Sequence, residues 1–411
     1  MLNEQQLSFL PADPSEQVTE NPSGKTPAKK NFYPAPSAYS VPDDLPVMNL
    51  NEDPDRPFWV AWNKVSGIGG ARFEKLLQYF GSAESAWDAS AKELRDAGLD
   101  EKLAADIVVQ RQKIHPENEI QRLAKARAAA ITLRDKAYPY LLRNIPNPPF
   151  VLYVRGELTA ADDLAIAIVG TRKITSYGRM VTTQITKDLA ERGVTIVSGL
   201  ARGVDMAAHT AALEAGGRTI AVLGCGVDIV YPPEHAHLAA KIVEHGAIVS
   251  EFSLGAPPEA GNFPARNRII SGLCSASIIT EAPERSGALI TADFAREHGR
   301  EVMAVPGSIF NERSRGCLTQ IQNGAHCVTS AQDVIQHLND FLLPEQIVMR
   351  EIAPIDDFEA GILQIIANQA LHIDEICRLA NSPISAISGS LMMLEIKGMA
   401  RNLGGMVYTK V

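Results

Sequence analysis

Residues 165–180 read AIAIVGTRKITSYGRM. Five apolar residues close in Gly170-Thr171-Arg172, and Ser176-Tyr177-Gly178 then opens a helical stretch that continues through Met180–Arg192. An unbroken apolar run of this length suits a strand buried on both faces; a strand with one wet face would alternate. The same unit recurs downstream. Thr195–Val197, Thr219–Leu223, Ala247–Val249, Ser277–Ile279 and Glu301–Val305 are short apolar runs, separated by helical stretches such as Ala288–His298. Buried strands spaced by helices predict a Rossmann-like, doubly wound, mainly parallel α/β sheet.

Ligands of such sheets lie at the C-terminal strand ends, near the point where strand order reverses. The strand ends here are rich in residues suited to a phosphate. The first ends in Gly170, Thr171 and Arg172, and the second in Ser198-Gly199 followed by Leu200-Ala201-Arg202-Gly203-Val204-Asp205. The third ends in Gly224-Cys225-Gly226, with Tyr231-Pro232 after it, and the fourth in Ser250-Glu251. A segment read as a loop then carries Phe263, Pro264, Ala265, Arg266, Asn267 and Arg268, and Ser286-Gly287 opens the last long helix. Glycine and small hydroxyl residues leave helix N-terminal amides open to an anion. Arg172, Arg266 and Arg268 would add bidentate charge, while Phe263 and Asn267 would stack on and contact a base. Asp205 and His209, four residues apart on one helix, fit a cap and a buttressing hydrogen bond better than a catalytic dyad.

Working outward, the pattern is helical from Phe58 to about Ala130, with Phe73, Leu76, Leu77 and Phe80 on one stripe and Gly81 at its end. Val65-Ser66-Gly67-Ile68-Gly69-Gly70 has the glycine spacing of a helix-hairpin-helix turn and equally that of a plain helix connection. Residues 1–55 are polar, Pro-rich and acidic, and are read as a disordered tail. Its Ser23-Gly24-Lys25-Thr26 imitates the end of a P-loop, but Thr19 stands where the first glycine belongs. The expected organisation is a tail (1–55), a small all-α module of helix-hairpin-helix or SAM-like type (56–135), the Rossmann-like domain (136–335), a linker (336–357) and a small winged-helix domain (358–411). The third helix of that last domain, Pro383–Gly398, holds Lys397 as its one basic residue, so it suits a protein contact better than a DNA groove.

The net charge of −9 excludes a uniformly basic surface but not a local basic pocket, since residues 56–161 carry +4 against −6 in the tail. Five cysteines without a CxxC pair fit neither a disulfide frame nor a zinc site, and no metal or cofactor is expected. The sequence shows no apolar stretch long enough to span a membrane and no signal peptide, so a cytoplasmic location without membrane association is expected.

The segments VGTR, SGLARGVDMAAH, TIAVLGCGVDIVYP, SEF, FPARNRII, EAPERSGALITADFA and VPG, in that order, resemble the DNA-processing protein A family (DprA, also called Smf) across about 165–310. The resemblance implies an extended Rossmann-like domain that binds single-stranded DNA and forms a homodimer. It also implies a mediator that protects incoming DNA and loads RecA recombinase during natural transformation, without being an enzyme. Carried over by position, the DNA pocket falls on Gly170, Thr171, Arg172, Ser198, Gly199, Arg266, Asn267 and Arg268. Phe263, Ser286 and Gly287 join it from the residue reading above. Ala265 and Ala260 depart from the pattern, standing where members often carry Lys or Arg and, in some, Lys. The alternative is a Rossmann-type nucleotide or nucleoside-phosphate hydrolase. Against it, Pro283-Glu284-Arg285-Ser286-Gly287 lacks the triple glycine and glutamate of those enzymes. A dinucleotide oxidoreductase is disfavoured because Gly170 opens no GxGxxG.

Overall fold

In the computed structural model, residues 53–338, 357–367, 369–396 and 399–410 are described. The P-loop-like tetrapeptide, nearly all of the acidic tail and most of the linker lie outside them. Six helices form the first module: α1 (Arg56–Asn63), α2 (Gly70–Phe80), α3 (Ala83–Asp88), α4 (Ala91–Asp96), α5 (Glu101–Arg111) and α6 (Pro116–Lys125). Their ends follow local chemistry. Gly81 closes α2 in the left-handed region at φ 82°, and Ser90 and Glu93 make a reciprocal capping box on α4. Asp55 caps α3 from a distance, its carboxylate accepting from the Ala83 and Glu84 amides at 3.1 and 2.9 Å. The core of the module is aromatic: Trp59, Trp62, Phe73 and Trp87 are buried, and Phe73 stacks on Phe150 from the sheet domain at 4.4 Å.

Among the described residues the sheet has nine strands: β1 (Ala129–Thr132), β2 (Val151–Gly156), β3 (Ala165–Val169), β4 (Thr195–Ser198), β5 (Thr219–Val222), β6 (Gly246–Ser250), β7 (Ala276–Ile279), β8 (Glu301–Ala304) and β9 (His326–Cys327). The order is β1-β2-β6-β5-β4-β3-β7-β8-β9, antiparallel across β1–β2 and β2–β6 and parallel throughout the rest. The short helix α7 (Tyr140–Arg143) joins β1 to β2. β1 falls before residue 136 and yet pairs with β2, so the sheet reaches into the stretch read from sequence as purely helical. Tyr153 on β2 donates to Asn63 (2.9 Å), and Arg56 is bidentate to Asp135 (2.7 Å to each oxygen), tying module and sheet together.

From β3 the chain winds outward through α8 (Ser176–Ala190), β4, α9 (Val204–Glu214), β5, α10 (Ala236–His245) and β6. It then returns to the other side of β3 through α11 (Asn262–Gly272), adding β7, α12 (Gly287–Glu297), β8, α13 (Arg315–Gln322), β9 and α14 (331–338). The reversal falls between β3 and β7, and the crevice above their C-terminal ends is where this class binds ligands. All five residues of β3 are buried, as its apolar run requires.

One segment is corrected by the structure. Phe263–Arg268, read as a loop, lies in α11. Pro264 sits in the first turn, where its missing N–H has no intrahelical acceptor anyway, so the proline does not break the helix.

The C-terminal unit consists of α15 (Asp357–Ile365), β10 (Leu371–His372), α16 (Ile373–Ala380), α17 (Ile384–Ile396), β11 (Ala400–Asn402) and β12 (Val407–Lys410). Its three strands pair antiparallel in the order β10-β12-β11, with Gly404 and Gly405 turning the wing at φ 98° and 60°. Ile362, Ile366, Ile376, Ile387, Leu391 and Leu394 fill its core. Ile384, Met392, Met393 and the wing residues Leu403 and Met406 stay exposed.

Candidate nucleic-acid interface

The crevice has a rigid floor. Thr171 donates its amide to the Glu281 carbonyl (2.7 Å), joining the ends of β3 and β7. A Cβ on Gly170 would lie 2.5 Å from Val204 and 2.6 Å from the Glu281 carbonyl, so only glycine permits this approach. Glu281 is 1% exposed, and its carboxylate accepts from the Thr175 amide (2.8 Å) and hydroxyl (2.6 Å). It thereby fills the N-terminus of α8 with a negative charge of the protein's own.

The three arginines singled out from sequence have three different fates. Arg172 is exposed, has no carboxylate partner among the described residues, and holds its guanidinium 5.5 Å from the centre of the Phe263 ring. Arg268 donates to Glu251 at 2.6 Å in a largely buried pair, and burial pushes the Glu251 carboxyl up against the pull of that cation. Arg266 lies deeper than its place in a loop suggested. It is 4% exposed, and its Nη1 donates to the Gly199 carbonyl (2.7 Å) and to the Val222 carbonyl, clamping the ends of β4 and β5. Burial brings its guanidinium down to about 10, opposed by the charge of Asp205, so it remains a cation at neutral pH, with Nη1 and Nε engaged inside the protein.

The second strand end is likewise turned inward. Ser198 is fully buried and its hydroxyl donates to the Ile168 carbonyl (2.6 Å), which removes it from the list of phosphate donors. The Gly199 amide donates to Asp205 at 3.1 Å, and a Cβ there would sit 2.4 Å from the Arg266 guanidinium. Gly199 is thus glycine because the Arg266 guanidinium packs against it. Asp205 also accepts from the Ala201 amide (3.3 Å). His209, fully buried, bonds through Nδ1 to the Thr219 hydroxyl (2.7 Å) and is pushed down to about 3 by burial. Both serve the structure, as a loop cap and a helix buttress. Leu200, between the Gly199 and Ala201 amides that bond Asp205, sits at φ 56° and is the strained non-glycine residue of this turn.

What stays open is a ledge. Phe263 is half-buried against Gly224 and has the Tyr231 ring 5.5 Å away at 42°, leaving Arg172 above it. Asn267 donates to the Gly287 carbonyl (3.2 Å) and accepts from Arg266 Nε (3.2 Å), so it orients the helix start and offers little free capacity. Ser286 caps α12 through the Ala288 amide (3.3 Å), and Gly287 is exposed beside it with open space where a side chain would stand. Pro264 and Ala265 are exposed on α11. Two candidates were missed. Lys173 is exposed beside Arg172, and Tyr231 flanks Phe263; the sequence signal was Lys173's place in the turn after β3 and Tyr231's in the loop after β5. The glycine turn of the helical module is used internally, with Ser66 N donating to Gln110 (2.8 Å) and the Gly67 carbonyl accepting from Arg72 (2.7 Å).

Fold and ledge together define a doubly wound α/β protein whose ligand crevice combines a free cation with an aromatic face. Residues 129–339 match the family model described as DNA recombination-mediator protein A, and residues 349–406 match the DprA winged helix domain. The Smf protein of Synechocystis is 35% identical over 87% of this chain and 99% of its own length. The DNA processing protein DprA of Bacillus subtilis is 43% identical over 51% of this chain and 70% of its own. The crystal structure of Streptococcus pneumoniae DprA covers 68% of this chain and 97% of its own at a TM-score of 0.60 and 36% identity. The chain belongs to the DNA recombination-mediator protein A family, also called DprA or Smf. Among the described residues no helix is long and apolar enough to cross a membrane.

Proposed function

We propose that the crevice over β3 and β7 binds single-stranded DNA, and that the protein acts as a non-catalytic mediator that shields the strand and hands it to RecA. The observation that carries this reading is the pairing of Arg172 with Phe263: an exposed guanidinium without an acidic partner, above an aromatic ring. A phosphate and an adjacent unpaired base need that combination, whereas a duplex keeps its base faces stacked on one another. Gly287, Ser286, Thr171 and Lys173 line the path a backbone would take past the helix starts. The carboxylates near the strand ends speak against hydrolysis: Asp205 and Glu281 are buried and bonded to amides and a hydroxyl, and the partly buried Glu251 is paired with Arg268. Action as a homodimer through the sheet domain is part of the proposal.

The test is a titration of labelled oligo-dT and a matched duplex at two salt concentrations. Salt-sensitive binding of the single strand, with a slope near −0.7 per phosphate neutralised, supports the reading. Binding of neither would overturn it. RecA loading is tested by whether the protein restores strand exchange on DNA already coated by a single-strand-binding protein.

A further inference from the structure

At the far edge of the sheet, away from the crevice, three side chains from three elements converge. Glu301 begins β8, His326 begins β9 and His337 lies in α14. β9 pairs parallel to β8 with Met303 opposite His326, and Glu301 stands two residues before Met303. Pleat alternation therefore sets Glu301 and His326 on one face of the sheet. Buried Met303 shares that face and packs in one core cluster with Val334 and Leu338 of α14. His337 Nε2 lies 2.8 Å from Glu301 Oε2, and His326 Nε2 lies 3.6 Å from the same oxygen. The two imidazole rings approach to 3.4 Å between centroids at 39°.

We propose that Glu301, His326 and His337 bind one divalent transition-metal ion of the zinc class. The three donor atoms lie within 4.8 Å of one another. A tetrahedral ion about 2.0–2.1 Å from each ligand holds its donors roughly 3.3 Å apart, between the two separations observed. A single hydrogen bond between helix and strand needs one histidine; two imidazoles turned to one carboxylate oxygen is the arrangement an ion organises. Two nitrogens and one carboxylate select zinc, nickel, copper or cobalt over magnesium and calcium, which take all-oxygen shells. His326 is 48% exposed, so solvent completes the coordination. Cys327, next along β9, points to the opposite face by the same alternation and is no ligand. Bound there, the ion ties together β8, the two-residue edge strand β9 and α14.

The experiment uses untagged full-length protein stripped with chelator and titrated with Zn2+ by calorimetry, with Co2+ absorption reporting tetrahedral geometry. The expected result is about one equivalent of Zn2+, undisturbed by excess Mg2+, with a thermal midpoint that rises on addition. In H326A the affinity falls by at least about 10-fold and the thermal shift is lost. This variant removes a half-exposed side chain, so its metal-free melting point should match the parent. H337Q serves as the second probe, with the same loss of affinity expected. Absence of saturable Zn2+ binding, or affinity unchanged in H326A and H337Q, overturns the proposal.

Discussion

Arg172 and Arg266 flank one crevice, at the end of β3 and on α11, and chemistry alone would give them the same task. Arg266 is sealed beneath the surface, its guanidinium spent on the carbonyls of Gly199 and Val222 and balanced by the charge of Asp205. Arg172 stands in solvent on the face of Phe263. The first region is a latch that fixes where the strands end; the second is a ledge with something left to bind. The contrast teaches that two arginines beside one crevice can differ in burial, one holding strand ends together and the other left in solvent. Stability measurements and binding measurements should separate the two.

The largest effect should come from opening the latch. Arg266→Ala leaves the Gly199 and Val222 carbonyls without their donor and Asp205 without a nearby cation; each orphaned buried group costs about 1–3 kcal/mol, so urea unfolding should shift strongly to lower denaturant. A stable R266A that has lost only DNA affinity would break the comparison. The latch region should also govern acid stability. His209 titrates at about 3 when folded against 6.5 in the unfolded chain. Its contribution is fully present above pH 6.5. As pH falls from 6.5 towards 3 the unfolded chain takes a proton that the folded one refuses, and stability drops by up to about 1.4 kcal/mol per pH unit. Denaturation across that window should show a shallower acid limb in His209→Asn than in the parent protein.

On the ledge the effects should be on binding alone. Arg172→Ala should weaken oligo-dT affinity by about 1.5–3 kcal/mol while leaving the melting temperature in place. Phe263→Ala should lose about 1–3 kcal/mol of stacking with little change in salt slope, which separates it from the arginine. The smallest effect would sharpen the ledge's outline. Ala265 is exposed on α11, so Ala265→Lys should raise affinity several-fold and steepen the salt slope by about 0.7. No change in that variant would mean the strand passes elsewhere.

The sheet was legible because each buried parallel strand must be apolar throughout: AIAIV at 165–169 could hardly be anything but β3. The helix ends at Gly81 and Ser286 were legible for the same local reason, a left-handed cap and a hydroxyl acceptor. The helical state of Phe263–Arg268 was not, because Pro264 reads as a breaker until its position in the first turn is known. Ser198, Gly199 and Arg266 read as one phosphate site, and the fold instead sets Arg266 against Gly199 and turns the Ser198 hydroxyl to the Ile168 carbonyl.

By itself, then, the sequence determined the alternation of strands and helices, the strand ends that meet at the crevice, and the family to which the chain is similar. These depend on local pattern and on residues close in the chain. Only the tertiary structure decided which arginine is buried, which is free, and that Glu301, His326 and His337 meet at the sheet edge. Burial and convergence are set by packing between elements distant in sequence, and a charged or ligating side chain looks the same in the chain whether it ends in solvent, against a carbonyl or beside an ion.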